Sequence, residues 1–174
     1  MKQLQGYTVG AIAPSNPRAG DVWHELSTAG VSVYGWDWVW SAGRWSSPEQ
    51  FWDTSYDSNT GIRINYLDID PRVVRLLEFR SRLIHFVAQN TSNHWKIDLN
   101  FTNNGNVKTQ LSQLLTAGSG SSIFTPQSAQ LSTLVDFRTT GENSSSGLFE
   151  TFFSPVGSPG AVWGTVRLKY QFVR

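Results

Sequence analysis

The chain has 174 residues, a formal net charge of +1, no Cys and one Met, and is 13% aromatic against 16% charged. That length suits one domain, or one with a small appendage, and folding can bury roughly 70% of the unfolded surface, so neither disulfide nor metal is needed to hold a core. The missing Cys excludes disulfides, thiolate zinc sites, iron–sulfur clusters and a Cys nucleophile; the near-neutral charge argues against a polyanion-neutralising protein; no apolar run approaches a membrane span, and MKQLQGYTVG lacks the apolar core of a signal peptide.

Six of the eight Trp, at 23, 36, 38, 40, 45 and 52, fall in the first third and divide the chain. AIAPSNPRAGDVWHEL is a turn-rich entry to the run VSVYGWDWVW. Alternation in that run puts Ser32, Tyr34, Trp36, Trp38 and Trp40 on one face of a strand, and SAGR predicts a hairpin that returns Trp45. The turn formers of SSPEQFWDTSYDSNTG mark a boundary, giving a Trp-rich β module over 1–52 and a second domain over 62–174. DIDPRVVRLLEF reads equally as a short helix, capped by Asp70 with Pro71 at its first position, or as a strand. RSRLIHFVAQ predicts a strand and NTSN a turn. In HWKIDLNFT the residues Trp95, Ile97, Leu99 and Phe101 alternate with polar ones, so one face is core and the other wet. VKTQLSQLLTA is a short helix or an irregular edge, and SGSS and ENSSSG are loop tips. LFETFF and VWGTVRLKYQF form a last strand pair around SPVGSPGA; Val162, Val166, Leu168, Tyr170 and Phe172 face one way, and Trp163, Thr165, Arg167, Lys169 and Gln171 the other. Short antiparallel strands at this spacing, with no repeat, predict an all-β fold: a jelly-roll-like antiparallel β-sandwich preceded by the small Trp-rich module.

Chemical motifs are sparse. His24, His85 and His94 show no metal-ligand spacing, and two His on successive strands make a poor zinc site. There is no nucleophile elbow, phosphate loop or dinucleotide fingerprint. Asp68 and Asp70 would share a strand face, and Asp53, Asp57, Asn59 and Gly61 form an oxygen-rich loop near which a weak calcium site is an open question, but the loop lacks the alternation and closing Glu of an EF-hand. No catalytic residue, metal or cofactor is therefore expected. The sequons at Asn90, Asn100 and Asn143 reflect Asn- and Thr-rich turns and strands.

Two groups stand out as interface candidates. Arg outnumbers Lys ten to four, and Arg72, Arg75, Arg80 and Arg82 cluster within eleven residues, on a surface suited to carboxylates and rings or on a solvated edge. The other group is Tyr34, Trp36, Trp38, Trp40 and Trp45. Burying a Trp removes on the order of 200 Å² from water, worth roughly 4 to 5 kcal/mol, so the rings must cover something: the core of a small domain, a subunit interface, or the faces of sugars.

AIAPSNPRAGDVWHELSTAGVSVYGWDWVWSAGRWSS resembles a short module of bacteriophage tail fibres and related virion appendages, through Asn16, Pro17, Gly20, Asp21, Trp23, Tyr34, Trp40 and Trp45. The remainder resembles the β-sandwich tips of fibre proteins in phages of cyanobacteria, through Asn90, Ser92, Asn93, Trp95, Gly157, Pro159, Gly160, Tyr170 and Arg174. The resemblance implies a virion protein assembled in the host cytoplasm, trimeric, its N-terminal module docked to other virion proteins and its sandwich facing a host surface glycan; the charge and the lack of a long apolar run add the expectation of no nucleic-acid partner and no membrane insertion. The chain departs from a fibre in lacking a repetitive shaft, which leaves a capsid decoration protein or a free carbohydrate-binding lectin as alternatives.

Overall fold

A computed structural model describes residues 6–57, 73–102, 107–118, 125–136 and 148–174. Every regular element among them is a strand: β1 (Tyr7–Gly10), β2 (Val22–Glu25), β3 (Trp38–Ser41), β4 (Arg44–Ser46), β5 (Gln50–Asp57), β6 (Val73–His85), β7 (His94–Thr102), β8 (Lys108–Leu115), β9 (Thr125–Gln130), β10 (Leu134–Asp136), β11 (Leu148–Val156) and β12 (Val162–Phe172). No described helix is long and apolar enough to cross a membrane.

The first four strands form one sheet in chain order, β1 parallel to β2 and the rest antiparallel. Of the predicted strand over residues 31–40, only Trp38–Ser41 forms; residues 33–36 bend instead. The reason is local. Gly30 turns the chain at φ +77°, Ser32 Oγ donates to Tyr34 O at 2.6 Å, and Gly35 gives a ladder little to hold. The rings nevertheless keep the predicted side, since Tyr34, Trp36 and Trp40 all pack on the core that contains Trp38. SAGR makes the predicted two-residue hairpin, with Ala42 at φ +48° and Gly43 at +76° between paired Ser41 and Arg44.

The other eight strands form the predicted sandwich. One sheet runs β5-β12-β6, with β9 and β10 sharing the far edge of β6; the other runs β11-β7-β8. The chain changes sheet between β6 and β7, β8 and β9, β10 and β11, and β11 and β12, and this order is that of a jelly roll. The sheets meet through apolar rows. Phe79, Leu83, Val166 and Leu168 face Ile97, Leu99 and Phe149, and Tyr56 of β5 stacks on Phe153 of β11 with ring centroids 3.6 Å apart. Residues 68–72 of the ambiguous helix-or-strand segment lie outside the described residues; from Val73 onward it is strand, as is VKTQLSQLL from Lys108. Gly164, at φ +152°, lets β12 lie tight on β6: a Cβ there would sit 2.2 Å from Arg82 O.

A polar network closes one end of the sandwich. Asn90 Oδ1 accepts the N–H groups of Ser92 and Asn93, shaping the predicted turn, and Asn93 Oδ1 accepts Ser158 N–H. Gln89 and Trp95 side chains donate to Pro159 O and Gly160 O, so the two loops fix each other.

Gln50, Phe51 and Trp52, placed by composition in the first module, pair in β5 with Tyr170, Lys169 and Leu168 of β12. The module itself is tied to the end of that strand. Trp45 and Arg174 exchange backbone hydrogen bonds of 3.1 and 2.9 Å, Ser47 N–H donates to Phe172 O, and Trp36 stacks on Phe172 at 5.3 Å. One hydrophobic cluster spans both parts.

Candidate recognition surface

The aromatic group is largely spent in the interior. Trp38 is 0% and Trp45 4% exposed, so neither offers a ring face to a sugar or subunit; Tyr34, Trp36 and Trp40 are half-buried against them. Tyr34 stacks on Trp36 (5.0 Å) and meets Trp38 edge-on (5.4 Å), while Trp40 meets Trp45 edge-on (5.4 Å). Trp23, one of the six clustered Trp but not among the interface candidates, lies at the centre, 1% exposed, between Trp38 and Trp45, and donates its indole N–H to Gly10 O. Among these rings lies a charged pair. Glu25, 7% exposed, accepts Trp38 Nε1–H at 3.1 Å and binds the Arg174 guanidinium, which lies 5.8–5.9 Å from the ring centroids of Trp23, Tyr34 and Trp38. The buried carboxylate is thus compensated by a partly exposed cation that also lies against the rings.

The module's outward side carries different residues. Tyr7, Val22 and Val39 are aligned across β1, β2 and β3, with Tyr7 61% and Val39 39% exposed, and Val9 is exposed beside them. His24 and Asp37 pair on this side at 2.6 Å.

The Arg cluster divides. Arg72 lies outside the described residues and Arg75 is half-buried near the start of β6, while Arg80 and Arg82 are exposed on the outer face of the five-stranded sheet. Register then adds partners that sequence proximity does not show. Ser128, Arg80, Arg167 and Asp53 stand in one row across β9, β6, β12 and β5, and the adjacent row sets Arg82 beside Thr165 and Ser55. Arg167 grips Asp53 with two hydrogen bonds of 2.6 and 3.0 Å, and this pairing raises its pKa above the ordinary arginine value. Arg80 forms no ion pair with a described residue. Asp53, Arg80, Arg82, Thr165 and Arg167 line a shallow hollow of about 360 Å³. Beside it Trp163, 48% exposed, faces out between Ile84 and Asp57, and Phe51 lies under the guanidinium of Arg167. The wet-face alternation of the last strand had already placed Trp163, Thr165 and Arg167 together; which strand they would lie against awaited the fold.

The remaining titratable groups have structural employment. His85 Nδ1 and His94 Nδ1 lie 3.1 Å from the carbonyls of Val87 and Asn90, to which each donates. Asp21 is held below the ordinary carboxylate pKa by the N–H groups of Arg18 and Gly6. Burial raises the phenols of Tyr56 and Tyr170. Asn59, Gly61, Asp68, Asp70 and Asn143 lie outside the described residues, and among the described ones no three acidic or His side chains group as metal ligands.

No protein-family model matches the chain, and no curated protein is similar to it at a significant level. Among solved structures it is similar to one of Bacillus endospore appendages, a family of disulfide-linked pili, at 14% identity and TM-score 0.31, over 71% of this chain and 85% of that one. It is also similar to a chain of infectious bursal disease virus, Gx strain, at 9% identity and TM-score 0.36, over 89% of this chain and 38% of that one. At these scores neither likeness bears on function.

Proposed function

We propose that the chain is a structural protein of a bacteriophage virion, a tail fibre or fibre-tip adhesin, whose N-terminal module docks to neighbouring virion proteins and whose jelly roll binds a glycan of the host surface. It assembles in the host cytoplasm as a homotrimer. The observation that carries this reading is the outer face of the five-stranded sheet, where Arg80, Arg82 and Arg167 surround a hollow beside exposed Trp163 and Phe51. Arg and aromatic side chains are the groups that dominate recognition energies. Docking falls to the outward row of the module, Tyr7, Val9 and Val39, since the Trp side is occupied by core packing.

Fluorescently labelled protein should bind whole host cells, losing that binding on Trp163→Ala and keeping it on Tyr7→Ser. Sedimentation giving a monomer at micromolar concentration would sink the trimer. The exposed apolar row favours one second reading, a capsid decoration protein that binds only sibling subunits. It predicts the reverse pattern: no cell binding, and particle binding lost with Tyr7→Ser.

A further inference from the structure

We infer that the hollow between β6, β12 and β5 is a site for an acidic saccharide, a sugar ring whose charge is a carboxylate. This rests on the adhesin reading and adds the chemical class of the ligand.

The register sets two guanidinium side chains, Arg80 and Arg167, directly opposite each other, an arrangement that costs stability in a sheet. Asp53 offsets that cost on one side only, because it lies beyond Arg167 and takes both ends of its fork. Across Arg80 on the other side stands Ser128, which carries no charge. Three cationic side chains and one carboxylate therefore line the hollow. A planar guanidinium presents paired N–H donors that match the two oxygens of a carboxylate.

The other groups in and beside the hollow suit a sugar rather than a bare anion. Thr165 offers a hydroxyl and Asp53 keeps acceptor capacity for ring hydroxyls, while Trp163, outside the lining and two residues along β12, is an exposed aromatic for apolar C–H groups. The volume of about 360 Å³ lies at the small end of ligand sites, which run from roughly 300 to 1,000 Å³. Nucleic acid fits poorly: a phosphate chain leaving the hollow would run past Asp53, Asp57, Glu78 and Glu49, on a chain of net charge +1.

The test is calorimetric titration of the full chain with a trisaccharide of galacturonic acid and with its carboxyl-reduced, neutral counterpart. The acidic sugar should bind saturably, weaken as NaCl rises from about 50 mM to about 500 mM, and outcompete the neutral one. Arg80→Gln should cost roughly tenfold or more in affinity. Asp53→Asn keeps an acceptor while releasing the Arg167 fork, so it should tighten binding several-fold, a gain that misfolding cannot mimic. Equal binding of the neutral sugar, no binding of the acidic one, or indifference to both substitutions would overturn the inference. Host-cell binding by the same variants separates the two ideas: adhesion unaffected by Arg80→Gln sinks the acidic-sugar site and leaves the adhesin, whereas a wild-type chain that binds no cells sinks the adhesin itself.

Discussion

Replacing Arg174 by Ala isolates the charged pair between the module and the sandwich, because the backbone hydrogen bonds between residue 174 and Trp45 remain available. The substitution strands the Glu25 carboxylate, 8% exposed in its side chain, with Trp38 Nε1–H as its remaining side-chain donor in the cluster. A charged group left short of partners costs about 1.5–3 kcal/mol. The figure for a fully buried pair, about 3–5 kcal/mol, is too large here because the Arg174 side chain is 38% exposed. Losing the cation's contact with the rings of Trp23, Tyr34 and Trp38 adds about 0.5–1 kcal/mol. The expected loss is about 2–4 kcal/mol, or roughly 5–15 °C in Tm for a domain of this size. Urea denaturation followed by Trp fluorescence and by near-UV circular dichroism measures it, and a shared core predicts that both probes move together. Adding Glu25→Gln should recover more than half of the loss, since an amide oxygen still accepts the Trp38 N–H and no charge is stranded. Arg174→Ala within about 0.5 kcal/mol of the parent, or no recovery with Glu25→Gln, would refute the reasoning.

Trp38→Ala should destabilise by about 3–5 kcal/mol because the ring is wholly buried, whereas Trp163→Ala on the outer face should stay within about 0.5 kcal/mol; equal effects in chemical denaturation would contradict the assigned faces. Ala42 holds a left-handed conformation in a hairpin turn that favours Asn-Gly, so Ala42→Asn should raise the thermal midpoint by roughly 2–4 °C, and a drop would argue against that turn. Tyr56 and Tyr170 have phenol pKa values raised by burial, so the folded state keeps protons that the unfolded chain releases. Their contribution is present below the unfolded value near 10 and is lost as pH rises through the folded values. Urea midpoints should fall from about pH 9 to about pH 11, less steeply in the Tyr56→Phe, Tyr170→Phe double variant; an unchanged slope would show that other groups set it.

Where alternation is unbroken, the sequence is enough to place a strand and its faces. β12 buries the residues its period predicts, Val162, Val166, Leu168, Tyr170 and Phe172; β7 buries Trp95, Ile97 and Leu99 as expected, but its expected wet face also carries buried His94 and Asn100, and Phe101 is only half-buried. The two segments left open between helix and strand are those with a β-bulge. In β6 the register against β12 steps at Leu77, so the buried positions run Val74, Leu76, then Phe79, Ser81, Leu83. That step of three imitates one helical turn. In β8 the bulged residue is Leu111, and Leu111 and Leu114 acquire the same helical spacing. A bulge is set by the partner strand, which local pattern does not contain.

The candidate surface was half legible for a related reason. Alternation shows which residues of a strand share its wet face, and so groups Arg80 with Arg82, and Thr165 with Arg167. It does not show which strands are neighbours. In a jelly roll β6 and β12 are far apart in sequence yet adjacent in the sheet, and only this adjacency sets Arg80 against Arg167 and brings Asp53 to the far side. The Trp-rich run fails as a platform on the complementary ground. Its rings share one side, but a side is exposed only if nothing packs on it, and Phe172 of β12, Glu25 of β2 and Arg174 beyond β12 arrive there. The densest aromatic signal in the sequence therefore marks where the chain closes on itself, and the surface left for a partner is built from residues whose meaning depends on register.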